Sequence, residues 1–127
     1  MSTVVEREGF AVHGEVRSFY RQRGSGPLLV LIHGAEADHT MFDALAERLA
    51  AHFTVVAYDQ RDSGRSSHGD APYGLEALAD DAAALIASVG ASPTACAHVY
   101  GTSFGGQIAQ VLALRHPDLV RRLVVVD

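Results

Sequence analysis

Residues 94–115 read TACAHVYGTSFGGQIAQVLALR, and this stretch decides the fold. Thr94 to Tyr100 is an apolar run of the kind that forms a strand buried on both faces. Phe104 to Arg115 places Ile108, Val111 and Leu112 on one face of a helix. Between them stands Gly101-Thr102-Ser103-Phe104-Gly105-Gly106, so a buried strand turns into a helix with almost no connecting chain. At so tight a bend Ser103 is expected to take a strained backbone conformation, and the flanking glycines let strand and helix approach closely. The hydroxyl is thereby pushed out at the C-terminal edge of a sheet. There it meets a helix N-terminus, whose free N–H groups and dipole favour developing negative charge.

Working outward, Leu28 to Ile32 (LLVLI) and Thr54 to Tyr58 (TVVAY) are two further strands of the buried type. From Thr40 to Ala51, Phe42, Leu45 and Leu49 recur at helical spacing, Phe53 continues the series, and Asp38 or Thr40 is available as N-cap. Leu75, Leu78, Ala82, Leu85, Ile86 and Val89 predict a second helix stopped at Gly90, which reads as a C′ glycine. Residues 4–21 alternate apolar and polar about His13-Gly14, the pattern of two short strands joined by a turn. Gly24-Ser25-Gly26-Pro27 breaks the chain, and Asp59 to Tyr73 is a polar, Gly-rich loop. Downstream, His116-Pro117 ends the last helix and Leu123 to Val126 forms a fourth buried-type strand. Strands alternating with helices of this length imply right-handed crossovers, so the class is α/β, a mostly parallel sheet with flanking helices. No internal repeat, linker or low-complexity segment interrupts it.

The 127 residues carry ten basic against fifteen acidic side chains, a formal charge of −5, and 48% of them are hydrophobic. That composition is one of a single soluble globular domain and excludes disorder, collagen-like repeats and a disulfide scaffold. Every basic residue is Arg and none forms a dense run, so neither nucleic acid nor a membrane surface is an expected partner. Cys96 is the only cysteine and is expected to pack as a small buried hydrophobe in a reducing compartment. Met1 to Gly9 lack the basic and apolar regions of a signal peptide, and no apolar stretch approaches the ~20 residues of a membrane span. A cytoplasmic location is expected. No metal-ligand spacing or phosphate-cradling loop is present, so neither a metal nor another cofactor is expected.

Four features taken together resemble a known family. They are the elbow at Ser103, His33-Gly34-Ala35 at the end of the first buried strand, the loop Asp59-Gln60-Arg61-Asp62-Ser63-Gly64-Arg65-Ser66, and the stretch from Gln107 through His116-Pro117 to Asp127. As a set they resemble α/β-hydrolase-fold proteins of the esterase, lactonase and proline-iminopeptidase-like branch. The resemblance implies that Ser103 is the nucleophile and that the backbone N–H groups of Ala35 and Phe104 form an oxyanion hole. Losing one such donor typically costs ~10²–10³ in rate. Structural roles around the site are implied for His33, Gly34, Gly101 and Gly105, with His33 shaping the oxyanion loop rather than transferring protons. Arg61 and Asp62 are expected to tie their loop down by hydrogen bonds and charge. Asp62 departs from the family pattern, standing where Gly is usual.

A serine hydroxyl needs a base, and in this fold the partners follow the nucleophile in the order Ser, Asp or Glu, then His. Only His116 follows Ser103, thirteen residues along the helix and so roughly 20 Å away, too far to act. His98 lies five residues back along the strand, roughly 16 Å below the site. His13 and His52 are expected at the opposite end of the sheet or beyond it. His39 and His68 lie in loops that can open on the right edge, and both are expected as solvated loop residues. For the acid, Asp127 ends the strand beside the elbow strand. Some family members place their acid there, more place it after the next strand, and many carry an Asp there without a catalytic role.

By the resemblance, residues 1–127 correspond to the N-terminal portion of a single α/β-hydrolase domain, without the cap, the later strands, the usual acid and the catalytic histidine. The sheet would then end on a bare apolar strand, which implies association with a completing polypeptide or with a second copy as a homo-oligomer. Two functions of different class follow. One is a serine hydrolase acting on a small-molecule acyl substrate such as an ester or lactone. The alternative is a non-catalytic hydrolase-like binding module, or a fragment, that associates through the open edge. The serine argues against a dehalogenase, which uses Asp as nucleophile, and nothing in the sequence names the substrate.

Overall fold

A computed structural model describes residues 6–90 and 95–127. Strands β1 (Glu6–His13) and β2 (Val16–Arg23) form an antiparallel hairpin turned at Gly14, whose φ of 61° is left-handed. The expected hairpin is present, although positions 4 and 5 lie outside the described residues. Then follow β3 (Leu28–Ile32), a 3-10 turn (His39–Phe42), α1 (Asp43–Leu49), β4 (Thr54–Tyr58), α2 (Leu75–Val89), β5 (Ala97–Thr102), α3 (Phe104–Arg115), a second 3-10 turn (Pro117–Leu119) and β6 (Val120–Val126). The six strands are ordered β1-β2-β4-β3-β5-β6. The last four in that order run parallel, and the hairpin joins them antiparallel through β2 and β4. The α/β class read from the sequence is therefore the class observed.

Several boundaries differ from expectation for identifiable reasons. The third buried strand begins at Ala97 rather than Thr94, which itself lies outside the described residues, and it continues to Thr102. Gly101 and Thr102 remain strand because they pair with Val125 and Val126 of β6. For the same reason β6 starts at Val120, ahead of the apolar run at Leu123. The first helix opens as a 3-10 turn, where the Asp38 carboxylate accepts the Thr40 N–H at 2.8 Å and caps it. Gly90 ends α2 in right-handed geometry (φ −75°), not as a left-handed C′ glycine. Glycine fits there because a Cβ would overlap the Ala95 side chain. Cys96 is half-buried rather than buried.

Alternate residues of the strands feed two cores. Val30, Ile32, Val56 and Val99 face α2 and α3, where Leu85, Ile86, Ile108 and Leu112 are fully buried. Burying each such side chain contributes about 1.5–3 kcal/mol. On the other face, Leu29, Leu31, Val55 and Ala57 pack against Phe42 and Ala46. The short α1 covers only part of that face. Beside it runs an apolar groove of about 570 Å³ lined by Leu45, Leu49, Phe53, His98, Tyr100 and Val124.

Asp80 ties α2 to the end of α3. Its carboxylate accepts two bonds from Arg115, at 3.0 and 2.9 Å, and lies 2.7 Å from His116 Nε2. The Arg115 contact, helped by His116, holds the Asp80 pKa down at about 2. Among the described residues, no helix is long and apolar enough to cross a membrane.

Candidate functional site

Ser103 lies at the junction of β5 and α3 with φ 54° and ψ −122°, and it is exposed. A non-glycine residue in that region costs about 1–3 kcal/mol, which the surrounding packing must offset. At Gly101 and Gly105 the packing is main chain on main chain. A Cβ on Gly101 would overlap the Gly105 carbonyl oxygen, and a Cβ on Gly105 would overlap the Ile32 carbonyl oxygen and lie 2.5 Å from that of His33. At Gly106 an added Cβ would come within 2.8 Å of Val125 Cγ1. The start of α3 is thus pressed against its own strand and against β3 and β6. Ser103 N–H donates to the Val126 carbonyl at 2.8 Å, and Gly106 N–H donates to the Ser103 carbonyl at 2.9 Å.

The segment after β3 approaches the same point. A Cβ on Gly34 would lie 3.5 Å from Ser103 Cβ, so the Gly34–Ala35 peptide rests against the elbow. The chain then reverses through Glu36, at φ 60°, and the Ala37 N–H donates to the Gly34 carbonyl at 3.3 Å. Among the described residues the Ala35 N–H has no acceptor. The Phe104 N–H belongs to the first turn of α3, which has no intrahelical acceptors. A cavity of about 460 Å³ opens here, bordered by Gly34, Ala35, Glu36, Gln60, Arg61 and Phe104.

His33 lies beneath this loop, 2% exposed. Its Nδ1 is 2.7 Å from the Gly34 carbonyl, and its Nε2 accepts the Gln60 N–H at 3.1 Å. Nε2 therefore carries the lone pair and Nδ1 the proton, as the network requires of a neutral ring. Burial lowers the His33 pKa below its ordinary value, because the imidazolium would lose its hydration. Both ring nitrogens are engaged away from Ser103.

The neighbouring loop is organised by carboxylates. Asp59 is fully buried and accepts the His39 N–H at 2.7 Å, the His39 ring at 2.8 Å and the Arg65 N–H at 2.9 Å. The ligating atoms of Asp38, His39 and Asp59 lie within 4.8 Å of one another. They are nonetheless committed to these bonds and to the Asp38 cap. Arg61 forms a two-point bridge to Asp81 of α2, at 2.7 and 3.1 Å, and lies over the Tyr73 ring. Asp62 takes φ 65° and accepts from His68 and from the Tyr73 hydroxyl. That hydrogen bond, helped by one to the Gly69 carbonyl, raises the His68 pKa.

Two histidines differ from expectation. His13 is not at the opposite end of the sheet: β1 runs antiparallel to β2 and β2 antiparallel to β4, which brings the end of β1 to the edge where β4 ends. There its Nδ1 lies 3.0 Å from Asp81 Oδ1. His39 is not solvated but buried, bonded to Asp59 and packed on the Phe19 ring at 5.1 Å. His68 is half-buried on Asp62, and His116 is held by Asp80. Asp127 is exposed and directly follows Val126, the acceptor of the Ser103 N–H. Among the described residues no histidine ring hydrogen-bonds the Ser103 hydroxyl. Asp81 escaped the sequence reading. Its one signal is an acidic residue inside the apolar stripe of Leu78, Ala82 and Leu85.

Comparison with known proteins adds to this geometry. The family profile described as alpha/beta hydrolase fold matches residues 27–127. An uncharacterized hydrolase, YraK, of Bacillus subtilis (strain 168) is 38% identical over 107 residues, covering 83% of this chain and 38% of that protein. The 2-(acetamidomethylene)succinate hydrolase of Mesorhizobium japonicum is 35% identical over 114 residues, covering 90% of this chain and 40% of that protein. Among solved structures, the epoxide hydrolase CorEH superposes with a TM-score of 0.88 at 30% identity, over 97% of this chain and 42% of that one. The chain spans about two fifths of the length of these relatives.

Proposed function

Since the chain belongs to the alpha/beta hydrolase fold family, we propose that it carries the nucleophile of a serine hydrolase acting on an ester, lactone or related acyl bond. The single observation that carries this reading is the conformation of Ser103. It is strained, exposed and seated at the N-terminus of α3 against Gly34. Strain held in place by surrounding main chain is a feature of functional sites.

In acylation, a bond forms between Ser103 Oγ and the carbonyl carbon while the carbonyl electron pair moves onto its oxygen. The Ala35 and Phe104 N–H groups receive that charge. The serine proton passes to a base and on to the departing alkoxide as the old C–O bond breaks. Water then repeats the sequence on the acyl-serine, releasing the acid and restoring the hydroxyl. Donors aimed at charge that develops only in the transition state lower the barrier without tightening the ground state.

In this reading the base is a histidine from polypeptide beyond these 127 residues, because His13, His33, His39 and His68 are each engaged elsewhere. In the same reading Asp127, which follows the acceptor of the Ser103 N–H, is the acid that orients this histidine. The test is a fluorophosphonate probe applied to the protein expressed from its native reading frame. Ser103 is expected to be modified, and Ser103→Ala to abolish modification. Folded protein with Ser103 unmodified would overturn the reading.

A second reading, a non-catalytic module that associates through β6, is favoured by the exposure of Leu123, Val124, Val125 and Val126, which runs from 36% to 50%. Light scattering separates the two. An assembly that leaves Ser103 unmodified supports the module, and a stable monomer removes it.

A further inference from the structure

The cavity bordered by Ala35 and Phe104 has a second wall, the turn that follows β4, and one residue of that turn grips the oxyanion loop at two points. The Gln60 main-chain N–H donates to His33 Nε2 at 3.1 Å, and its side-chain Nε2 donates to the His33 carbonyl at 2.7 Å. Gln60 is 7% exposed, so these bonds are made out of water, where their loss is most costly. The Ser63 hydroxyl, 3.2 Å from His33 Nε2, donates to the Gln60 carbonyl at 2.7 Å and closes the turn.

The consequence reaches the Ala35 amide in one step. With Nε2 accepting from Gln60, the proton of the neutral ring stays on Nδ1 and is donated to the Gly34 carbonyl at 2.7 Å. A trans peptide is planar, with its C=O and N–H pointing in opposite directions. Fixing the Gly34 carbonyl on the His33 ring therefore fixes the Ala35 N–H on the other side of the same plane. We propose that Gln60 is a positioning residue which, by clamping the carbonyl and ring of His33, aims the Ala35 N–H at the oxyanion. This rests on the serine hydrolase reading of Ser103 given above.

The test is the second-order rate of fluorophosphonate labelling at Ser103, measured on the protein from its native reading frame and on Gln60→Met, which removes the side-chain bond to the His33 carbonyl and leaves the main-chain bond to the His33 ring. Loss of one oxyanion donor costs ~10²–10³ in rate, so a misaimed donor in Gln60→Met should slow labelling about 10–100-fold. The final fraction of labelled sites should stay unchanged, which a mere loss of folded protein would not permit. Should Gln60→Met fold poorly, Gln60→Glu keeps the size and replaces the donor by an ionisable group. Its rate relative to wild type should rise as pH falls, because only the protonated carboxyl can donate to the His33 carbonyl; a flat ratio overturns the proposal. Wild-type labelling with Gln60→Met unchanged removes the role of Gln60 alone. Folded wild type left unlabelled removes the reading on which that role depends, and the role with it.

Discussion

Phe104 of the elbow and residues 60–64 of the loop from Asp59 to Ser66 border the same cavity, and elbow and loop each hold a non-glycine residue in the left-handed region, Ser103 at φ 54° and Asp62 at φ 65°. They are held there by different means. At the elbow the contacts are between main-chain atoms, with the space for Cβ atoms at Gly101 and Gly105 already occupied by carbonyls of α3 and β3. In the loop the contacts are side chains, many reaching in from elsewhere: Asp59 to His39, Arg61 to Asp81, and Asp62 to His68 and Tyr73. Close-packed main chain cannot yield without moving a strand, whereas a hydrogen-bonded side chain can be exchanged at the cost of its own bonds. The elbow is therefore the rigid half of the site, and the loop is the half whose shape depends on a small set of polar residues.

The contrast can be broken most sharply at Gly105. Gly105→Ala places a Cβ against the carbonyls of Ile32 and His33 and should destabilise by about 3 kcal/mol or more, read as a fall in the urea midpoint. A loss below about 1 kcal/mol would mean that the elbow is not held by main-chain contact. Next in size is Asp59→Asn, which keeps the volume but turns an NH₂ group toward one of two N–H donors, that of His39 or that of Arg65. The expected loss is about 2 kcal/mol by the same denaturation measurement, since one buried donor is left unpaired.

The smallest effect on folding is expected at Asp62→Gly. Glycine adopts φ 65° without strain, which offsets the loss of surface hydrogen bonds to His68 and Tyr73, so the midpoint should barely move. An NMR titration of the His68 ring sharpens this case. Asp62 raises the His68 pKa above its ordinary value of 6.5 in the folded protein. The stability linked to that pair is thus fully present below 6.5 and is lost as pH rises through the higher folded value. In Asp62→Gly the ring should titrate closer to 6.5; an unchanged midpoint would show that Asp62 is not the cause.

Much of the fold could be read along the chain because its signals are local. The runs Leu28–Ile32 and Thr54–Tyr58 and the helical spacings over 75–89 and 104–115 each occupy one continuous segment, and the structure keeps those bounds. What escaped was non-local. The placement of His13 depended on the direction in which β1 and β2 pair, and the burial of His39 depended on Asp59, twenty residues away. Asp81 stands inside an apolar stripe, and its partners Arg61 and His13 come from elements distant in the chain.

The order of residues alone determined the alternation of strand and helix, the parallel sheet and the bend that presents Ser103, because periodicity and glycine at a tight turn act over a few neighbouring residues. Only the tertiary structure decided which groups surround that bend. The Gly34 peptide against Ser103, Gln60 on His33 and the carboxylate at Asp59 are brought together by strand pairing, and a hydrogen bond depends on distance through space, which spacing along the chain does not encode.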